Sequence, residues 1–71
     1  MTIERRNILN ETKDYIYIIE FKINESAEAA LKQIEDKQYA KPFENDDRTI
    51  YKIGVNFSTK TRRIESWLIS E

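Results

Sequence analysis

Residues 15–23 carry the strongest hydrophobic pattern in the chain, and the pattern predicts a β-strand. β-Branched and aromatic residues dominate this segment. Side chains alternate across a strand, so one face would carry Tyr15, Tyr17, Ile19, Phe21 and Ile23. The opposite face begins with Ile16 and Ile18 and turns polar at Glu20 and Lys22. A strand that is apolar on both faces is typical of one covered on both sides over that length.

A helix is predicted after this strand, ending near Gln38. Asn24 or Ser26 can accept hydrogen bonds from the free amides at its start. The apolar positions recur at helical spacing and form one buried stripe, made of Ala27, Ala30, Leu31 and Ile34. Gln33 lies beside this stripe. The small alanines would allow the helix to approach a sheet closely.

Three further segments are predicted to be strands: residues 3–10, 49–57 and 63–70. Residues 11–14 form a plausible hairpin connection between the first strand and the strongest one. Residues 39–48 include the only proline, Pro42, and a polar cluster, which together predict a loop. Gly54, the only glycine, falls in mid-strand, where glycine marks a bulge or a close backbone approach.

The element order is therefore strand, strand, helix, strand, strand. A strand-helix-strand unit crosses over right-handed, so its two strands are expected to be parallel, with hairpin partners outside them. This order predicts an α+β fold in one domain over residues 1–71, with a mixed four-stranded sheet and one helix on one face. Because the other face is also apolar, we expect a second copy of the chain to cover it in a homodimer.

The composition excludes several kinds of chemistry. The 71 residues include no cysteine and no histidine. Disulfides, thiolate or histidine zinc sites, and serine or cysteine nucleophiles activated by histidine are therefore excluded. Any catalysis would depend on carboxylates, lysine, hydroxyls and a hard cation such as Mg²⁺.

The charge balance gives no overall attraction to nucleic acid, because the net charge is −1. A local basic rim could come from Arg5, Arg6, Lys41, Lys60, Arg62 and Arg63. The simpler interpretation is that these are ordinary solvated charges, so nucleic-acid binding is expected to be weak. No apolar run is long enough to cross a bilayer, and polar residues follow Met1, which together predict a cytoplasmic protein without membrane contact.

Glu20 and Lys22 form an E-x-K pair at the end of the strongest strand. Two residues apart, they emerge on the same face, about 6 to 7 Å from each other along the chain. The functional interpretation is half of a divalent-metal site, in which Glu20 holds Mg²⁺ and Lys22 steadies a developing negative charge. The alternative is a strand leaving the core, with both side chains facing solvent.

Three blocks of sequence together resemble a known family. Residues 15–22, residues 29–34 followed by Tyr39, and residues 53–58 are similar to the C-terminal nuclease-like domain of the PD-(D/E)XK superfamily. In many bacterial proteins that domain follows an AAA-ATPase-like domain. The resemblance extends from about residue 5 to residue 67, and it implies that Glu20 and Lys22 take the E and K roles of the family.

The resemblance also implies a set of site residues. In this family two carboxylates and a backbone carbonyl hold Mg²⁺, so Glu20 and the carbonyl of Phe21 would be ligands. Gln33 and Tyr39 match residues that border the site. The second acidic position falls on Asn7, and an amide is a weaker, neutral ligand for Mg²⁺.

Two departures from the family pattern guide the functional prediction. Neither Glu4 nor Glu11 falls at the acidic position that Asn7 occupies. The family core also begins with a helix and a strand for which this chain has little room, so we expect an N-terminally truncated domain. The favoured prediction is an inactive nuclease-like domain that acts as an interaction or dimerisation module. The alternatives are Mg²⁺-dependent hydrolysis of DNA or RNA through Glu20 and Lys22, and plain nucleic-acid binding.

Overall fold

The computed structural model describes residues 7–71 of the chain. The elements in this part are β1 (Asn7–Glu11), β2 (Tyr15–Ile23), α1 (Ala27–Asp36), a 3₁₀ turn (Lys41–Phe43), β3 (Thr49–Ser58) and β4 (Arg63–Ser70). The bounds of β2 and β4 are as predicted, and β3 is one residue longer. The first strand was predicted from Ile3, and its residues before Asn7 lie outside the described part, as do Glu4, Arg5 and Arg6.

The strands form one mixed sheet in the order β1-β2-β3-β4. The β1–β2 and β3–β4 pairs are antiparallel, whereas β2 and β3 are parallel. A parallel pair requires a crossover connection, which α1 and the loop after it provide. The predicted α+β fold with one helix on one face of a four-stranded sheet is therefore confirmed.

The helix packs on the sheet face that carries the even-numbered residues of β2. Ile16, Ile18 and Ile34 are each no more than 2% exposed and form the buried cluster beneath α1. A Cβ added at Gly54 would collide with the carbonyl oxygen of Ala27 and would lie 2.9 Å from the amide nitrogen of Leu31. Gly54 therefore marks a close approach of β3 to α1, one of the two predicted possibilities.

A β-bulge lies near Gly54, and it changes which face Ile64 occupies. Simple alternation along β4 grouped Ile64 with Leu68. In the structure, Ser66 pairs with Asn56 but Ile64 pairs with Phe57, so β4 contains one extra residue at this point. The register therefore places Ile64 on the helix-free side of the sheet. A bulge reverses the alternation beyond it, which the local pattern did not reveal.

The helix ends two residues earlier than predicted, at Asp36. Gln38 adopts a left-handed backbone with φ of 55°, and its N–H donates to the Glu35 carbonyl. The N–H of Tyr39 donates to the Ile34 carbonyl at 3.2 Å, which completes a Schellman motif.

At the other end, Ser26 is the N-cap, since its Oγ accepts from the Ala29 N–H at 3.0 Å. Within residues 7–71 no helix has the length and apolar character needed to span a bilayer.

Replacing Gln38 with glycine is expected to stabilise the domain by about 0.5 to 1 kcal/mol. A left-handed backbone costs an L-residue about 1 to 2 kcal/mol, and part of that gain is offset by the greater unfolded-state entropy of glycine. Thermal unfolding followed by circular dichroism measures the change. Lys37→Gly is the matched control, because Lys37 has an ordinary right-handed φ of −87° and should only lose stability. Equal effects of the two changes would contradict the assignment.

Arg48 links the loop before β3 to the β1–β2 connection. Its guanidinium donates to Asp46 at 2.7 Å, to Glu11 at 2.9 Å and to the Thr12 carbonyl at 3.1 Å. The hydrogen bonds from the Arg48 side chain and backbone lower the pKa of Asp46 to about 2. This contact anchors the end of β1, the strand that begins with Asn7.

Candidate functional site

Glu20 lies in the centre of the sheet, on the face covered by α1. Its carboxylate side chain is 1% exposed, so Glu20 does not face solvent. The strand register pairs it with Asn7 of β1 on one side and with Gly54 of β3 on the other. Because paired residues share a face of the sheet, Asn7 is the side chain beside Glu20 on the β1 side. Glycine at residue 54 leaves the β3 side without a side chain.

Lys22 lies on the same face, one position further along β2. Its Nζ donates a hydrogen bond to Oε1 of Gln33 on α1 at 2.9 Å and lies 3.9 Å from Oε2 of Glu25. The side chain is 15% exposed. The structure thus brings together Lys22 and Gln33, two of the residues predicted for the site. The Gln33 amide holds the amine at the end of the sheet where β2 and β3 finish.

Tyr39 and Asn7 lie together on the opposite side of Glu20. Both line a groove of about 320 Å³, together with Ile8, Leu9, Ile18, Pro42 and Phe43. Tyr39 also packs against the buried cluster beneath α1. The two residues predicted to border the site therefore occupy different places, with Gln33 at Lys22 and Tyr39 at the β1 side.

Phe21 pairs with Val55, and its side chain faces away from α1.

Asn56 is a polar residue that the sequence-based site did not include. It pairs with Lys22 across β2 and β3, on the helix-covered face. Its Oδ1 atom is buried and accepts no hydrogen bond from any residue in 7–71. Asparagine is disfavoured within strands, and here it follows Gly54 on the same face, which was the available signal. The candidate site therefore comprises Asn7, Glu20, Lys22, Gln33 and Asn56.

The basic residues predicted as a rim are only partly grouped. Lys60, Arg62 and Arg63 lie together at the exposed β3–β4 turn, beyond the carboxyl end of β3. Asn24 ties this turn to the end of β2, because its Nδ2 donates to Thr59 Oγ1 at 2.9 Å. Lys41 instead lines a groove with Lys52, near the opposite end of β3. The described cations therefore do not form one continuous rim.

Comparison with known families accounts for this arrangement of strands and side chains. A family model described as the PD-(D/E)XK nuclease superfamily matches residues 1–67, which are 67 of the 71 residues. This chain belongs to the PD-(D/E)XK nuclease superfamily. The β-β-α-β-β order fits a small nuclease-like domain of this superfamily, and β2 is the strand with the E-x-K pair. The searches of curated proteins and of solved structures found no match to this chain.

PD-(D/E)XK proteins generally use divalent metals, but the side chains at this site do not fit such an ion well. Among residues 7–71, no three acidic, histidine or cysteine side chains cluster as a metal site would require. Glu20 supplies one carboxylate, and Asn7 beside it supplies a neutral amide. Glu11 lies at the far end of β1, where it pairs with Ile16 and contacts Arg48, so it does not replace Asn7. One negative charge binds a doubly charged cation weakly.

Space around Glu20 is also limited in this PD-(D/E)XK domain. At Gly54 the backbone of β3 lies so close to α1 that even one Cβ would collide with helix backbone atoms. Mg²⁺ usually keeps several water ligands in proteins and needs room for them. The β3 side of Glu20 therefore offers no place for a hydrated ion. What the arrangement does hold is the Lys22 ammonium group, which contacts the Gln33 amide oxygen and the Glu25 carboxylate. The buried carboxylate of Glu20 lies on the same face.

Proposed function

We propose that this PD-(D/E)XK domain is catalytically inactive and acts as an interaction and dimerisation module. One observation carries the proposed inactivity, namely that Asn7 is the neighbour of Glu20 across β1 and β2. The family resemblance implies an acidic residue at this position, and an amide removes one of two negative charges from the metal ligands. Because divalent-cation affinity depends strongly on ligand charge, the loss is expected to abolish useful Mg²⁺ binding.

The burial of Glu20 supports the same proposal. At 1% exposure, its carboxylate lies beneath α1, out of reach of bulk water and of an approaching substrate. Lys22 is also engaged, since its ammonium group lies between Gln33 and Glu25. Both residues of the E-x-K pair therefore have a structural role, Glu20 as a buried side chain beneath α1 and Lys22 as a link between β2 and α1.

Titration calorimetry with Mg²⁺ and Mn²⁺ tests the proposal directly. We expect no binding at micromolar affinity and no metal-dependent nicking of supercoiled DNA by the natural chain. Glu20→Gln is the matched variant, since it removes the charge but keeps the shape of the side chain. Micromolar binding that disappears in Glu20→Gln would contradict the proposal.

Metal-dependent phosphodiester hydrolysis is the second candidate function. It is favoured by the placement of Glu20 and Lys22 on one face and by the 2.9 Å contact between Lys22 and Gln33, a residue that the resemblance assigns to the site. The nicking assay separates the two candidates. Hydrolysis would require cleavage that is lost in both Glu20→Gln and Lys22→Gln, whereas the proposed module shows no cleavage to lose.

The proposal includes a place for the module in a larger protein. The family resemblance associates such domains with a preceding AAA-ATPase-like domain in bacteria, and an interaction module suits a protein that contains an ATPase. The coding sequence upstream of Met1 in the native gene tests this association. An unrelated or non-coding upstream sequence would remove it and would leave the proposal on Glu20 and Asn7 intact.

A further inference from the structure

The sheet has a second face, opposite α1, whose paired strand positions carry no charged side chain. We call it the helix-free face; it comprises the even-numbered positions of β1, the odd-numbered positions of β2 and β3, and Ile64, Trp67 and Ile69 of β4. Except for Asn10 and Thr49, these positions carry aliphatic or aromatic side chains. Four neighbouring strands without a charged side chain at their paired positions on one face are unusual for a surface left in water.

Apolar side chains of the helix-free face are exposed at both edges of the sheet. Trp67 is 62% exposed and Ile69 is 59% exposed on β4, and Ile8 is 41% exposed on β1. Single exposed apolar residues are ordinary, but a contiguous apolar patch marks an interaction surface. These exposures span β1 to β4, so the patch extends across the full width of the sheet.

One end of the helix-free face has a defined shape. The rings of Tyr17 and Tyr51 stack with centroids 5.7 Å apart, and Tyr15 lies 5.8 Å from Tyr51. With Ile53 and Ile69, the three tyrosines line a concavity of about 400 Å³. Burial raises the pKa of Tyr51, and the nearby carboxylate of Glu71, which follows β4, adds to this rise. A shaped and largely apolar surface, with one carboxylate at its border, suits a partner whose surface is also largely apolar.

The absence of charge on these positions argues against several partners. Nucleic acids are held mainly by lysine and arginine contacts to phosphates, and anionic membranes attract the same side chains. A charged protein surface would lose its hydration without gaining an opposite charge. A second copy of the same face meets none of these difficulties, and a twofold contact makes the surface complementary to itself.

The area of the helix-free face suits a dimer. Four strands about 4.8 Å apart, each presenting about eight residues that rise about 3.3 Å, give a projected area of roughly 500 Å². Accessible area exceeds projected area because side chains roughen the surface. The face is therefore on the scale of the roughly 800 Å² per partner that a stable interface buries.

We propose that the helix-free face is where two copies of this chain pack sheet against sheet. This inference rests on the proposed function, since it names the surface and the partner of the interaction module. The two sheets would stack about 10 Å apart with their helices outside. The candidate site would then lie between sheet and helix, away from the contact in both copies, so the dimer and the site can be tested separately.

Trp67 reports directly on this contact, because it is the only tryptophan in the chain. Sedimentation and tryptophan fluorescence are measured from submicromolar to high micromolar concentration. We expect the mass to double and the Trp67 emission to shift to shorter wavelength with the same midpoint. A constant monomer mass with unchanged emission would overturn the inference, as would a shift seen only when lipid vesicles are added.

Two neighbouring residues of β4 provide the decisive comparison. Ile69 and Leu68 are both exposed, at 59% and 38%, but they lie on opposite faces of the sheet. Ile69→Lys should weaken self-association at least about tenfold, because it places a charge in the apolar contact. Leu68→Lys should change it little. Equal weakening by both changes would indicate edge-to-edge pairing of β4 and would overturn the face-to-face arrangement.

A second pair on β1 guards against loss of folding in the β4 variants. Ile8 is 41% exposed on the helix-free face, and Leu9 is 51% exposed on the helix-covered face. Ile8→Lys should weaken the dimer and Leu9→Lys should not, with circular dichroism confirming that both fold. Metal titration of the same variants reports on the proposed function alone, so failure of one proposal is distinguishable from failure of the other.

Discussion

Replacing Asn7 with aspartate is expected to confer Mg²⁺-dependent stability on this PD-(D/E)XK domain. The change restores a second carboxylate beside Glu20, with Cβ atoms about 5 Å apart in the paired strands. Without metal the two negative charges repel, so the variant should be less stable than the natural chain. At a Mg²⁺ concentration about 100 times the dissociation constant, binding would return about 2.7 kcal/mol.

Thermal unfolding in Mg²⁺ and in EDTA measures this effect. Asn10→Asp is the matched control, because Asn10 lies on the same strand but pairs with Tyr17 on the helix-free face. We expect a metal-dependent rise in melting temperature only for Asn7→Asp, and its loss when Glu20→Gln is added. Lack of any response in Asn7→Asp would show that residue 7 is not a ligand position. A response in the natural chain would show that the site already binds metal.

Replacing Gly54 with alanine is expected to cost about 3 kcal/mol of folding stability. The new methyl group would collide with the Ala27 carbonyl and the Leu31 amide, which are backbone atoms of α1 and cannot rotate away. Such overpacking typically costs about 1 to 3 kcal/mol, and the values are higher where backbone must move. A single core of this size supplies roughly 3 to 5 kcal/mol, so the variant should retain at most about 2 kcal/mol of folding stability.

Urea denaturation of the natural chain and the variant measures this loss. Ser66→Ala serves as the control, since Ser66 lies on exposed β4 and should change stability by less than about 0.5 kcal/mol. Adding Ala30→Gly should not rescue Gly54→Ala, because two of the three nearest atoms belong to backbone. Rescue by Ala30→Gly, or wild-type stability of Gly54→Ala, would contradict the close contact between β3 and α1.

Local patterns determined most of the secondary structure. The bounds of β2 and β4 follow from runs of apolar residues bordered by polar turns. The predicted end of α1 was wrong by two residues. Gln38 adopts a left-handed backbone, a conformation that a glycine in the sequence usually signals. The close approach at Gly54 was one of two predicted possibilities, because a residue without a side chain allows another backbone to come near a strand.

The candidate site was predicted only in part. The spacing of Glu20 and Lys22 is sufficient to place them on one face, because alternation is a local property of a strand. The burial of Glu20, its position between Asn7 and Gly54, and the contact of Lys22 with Gln33 depend on residues 11 to 34 positions apart in the chain. No local pattern contains the pairing register that sets those contacts.

By itself, the sequence determined the strands, the helix and the family, because each rests on patterns within short segments of the chain. Only the tertiary structure decided which sheet face α1 covers and on which face the β4 bulge places Ile64. It also brought together, on the helix-free face, uncharged paired positions from four strands. These features arise because distant segments pair in one register and because a single helix can cover only one of the two sheet faces. That choice buries Glu20 on one side of the sheet and leaves Trp67 exposed on the other.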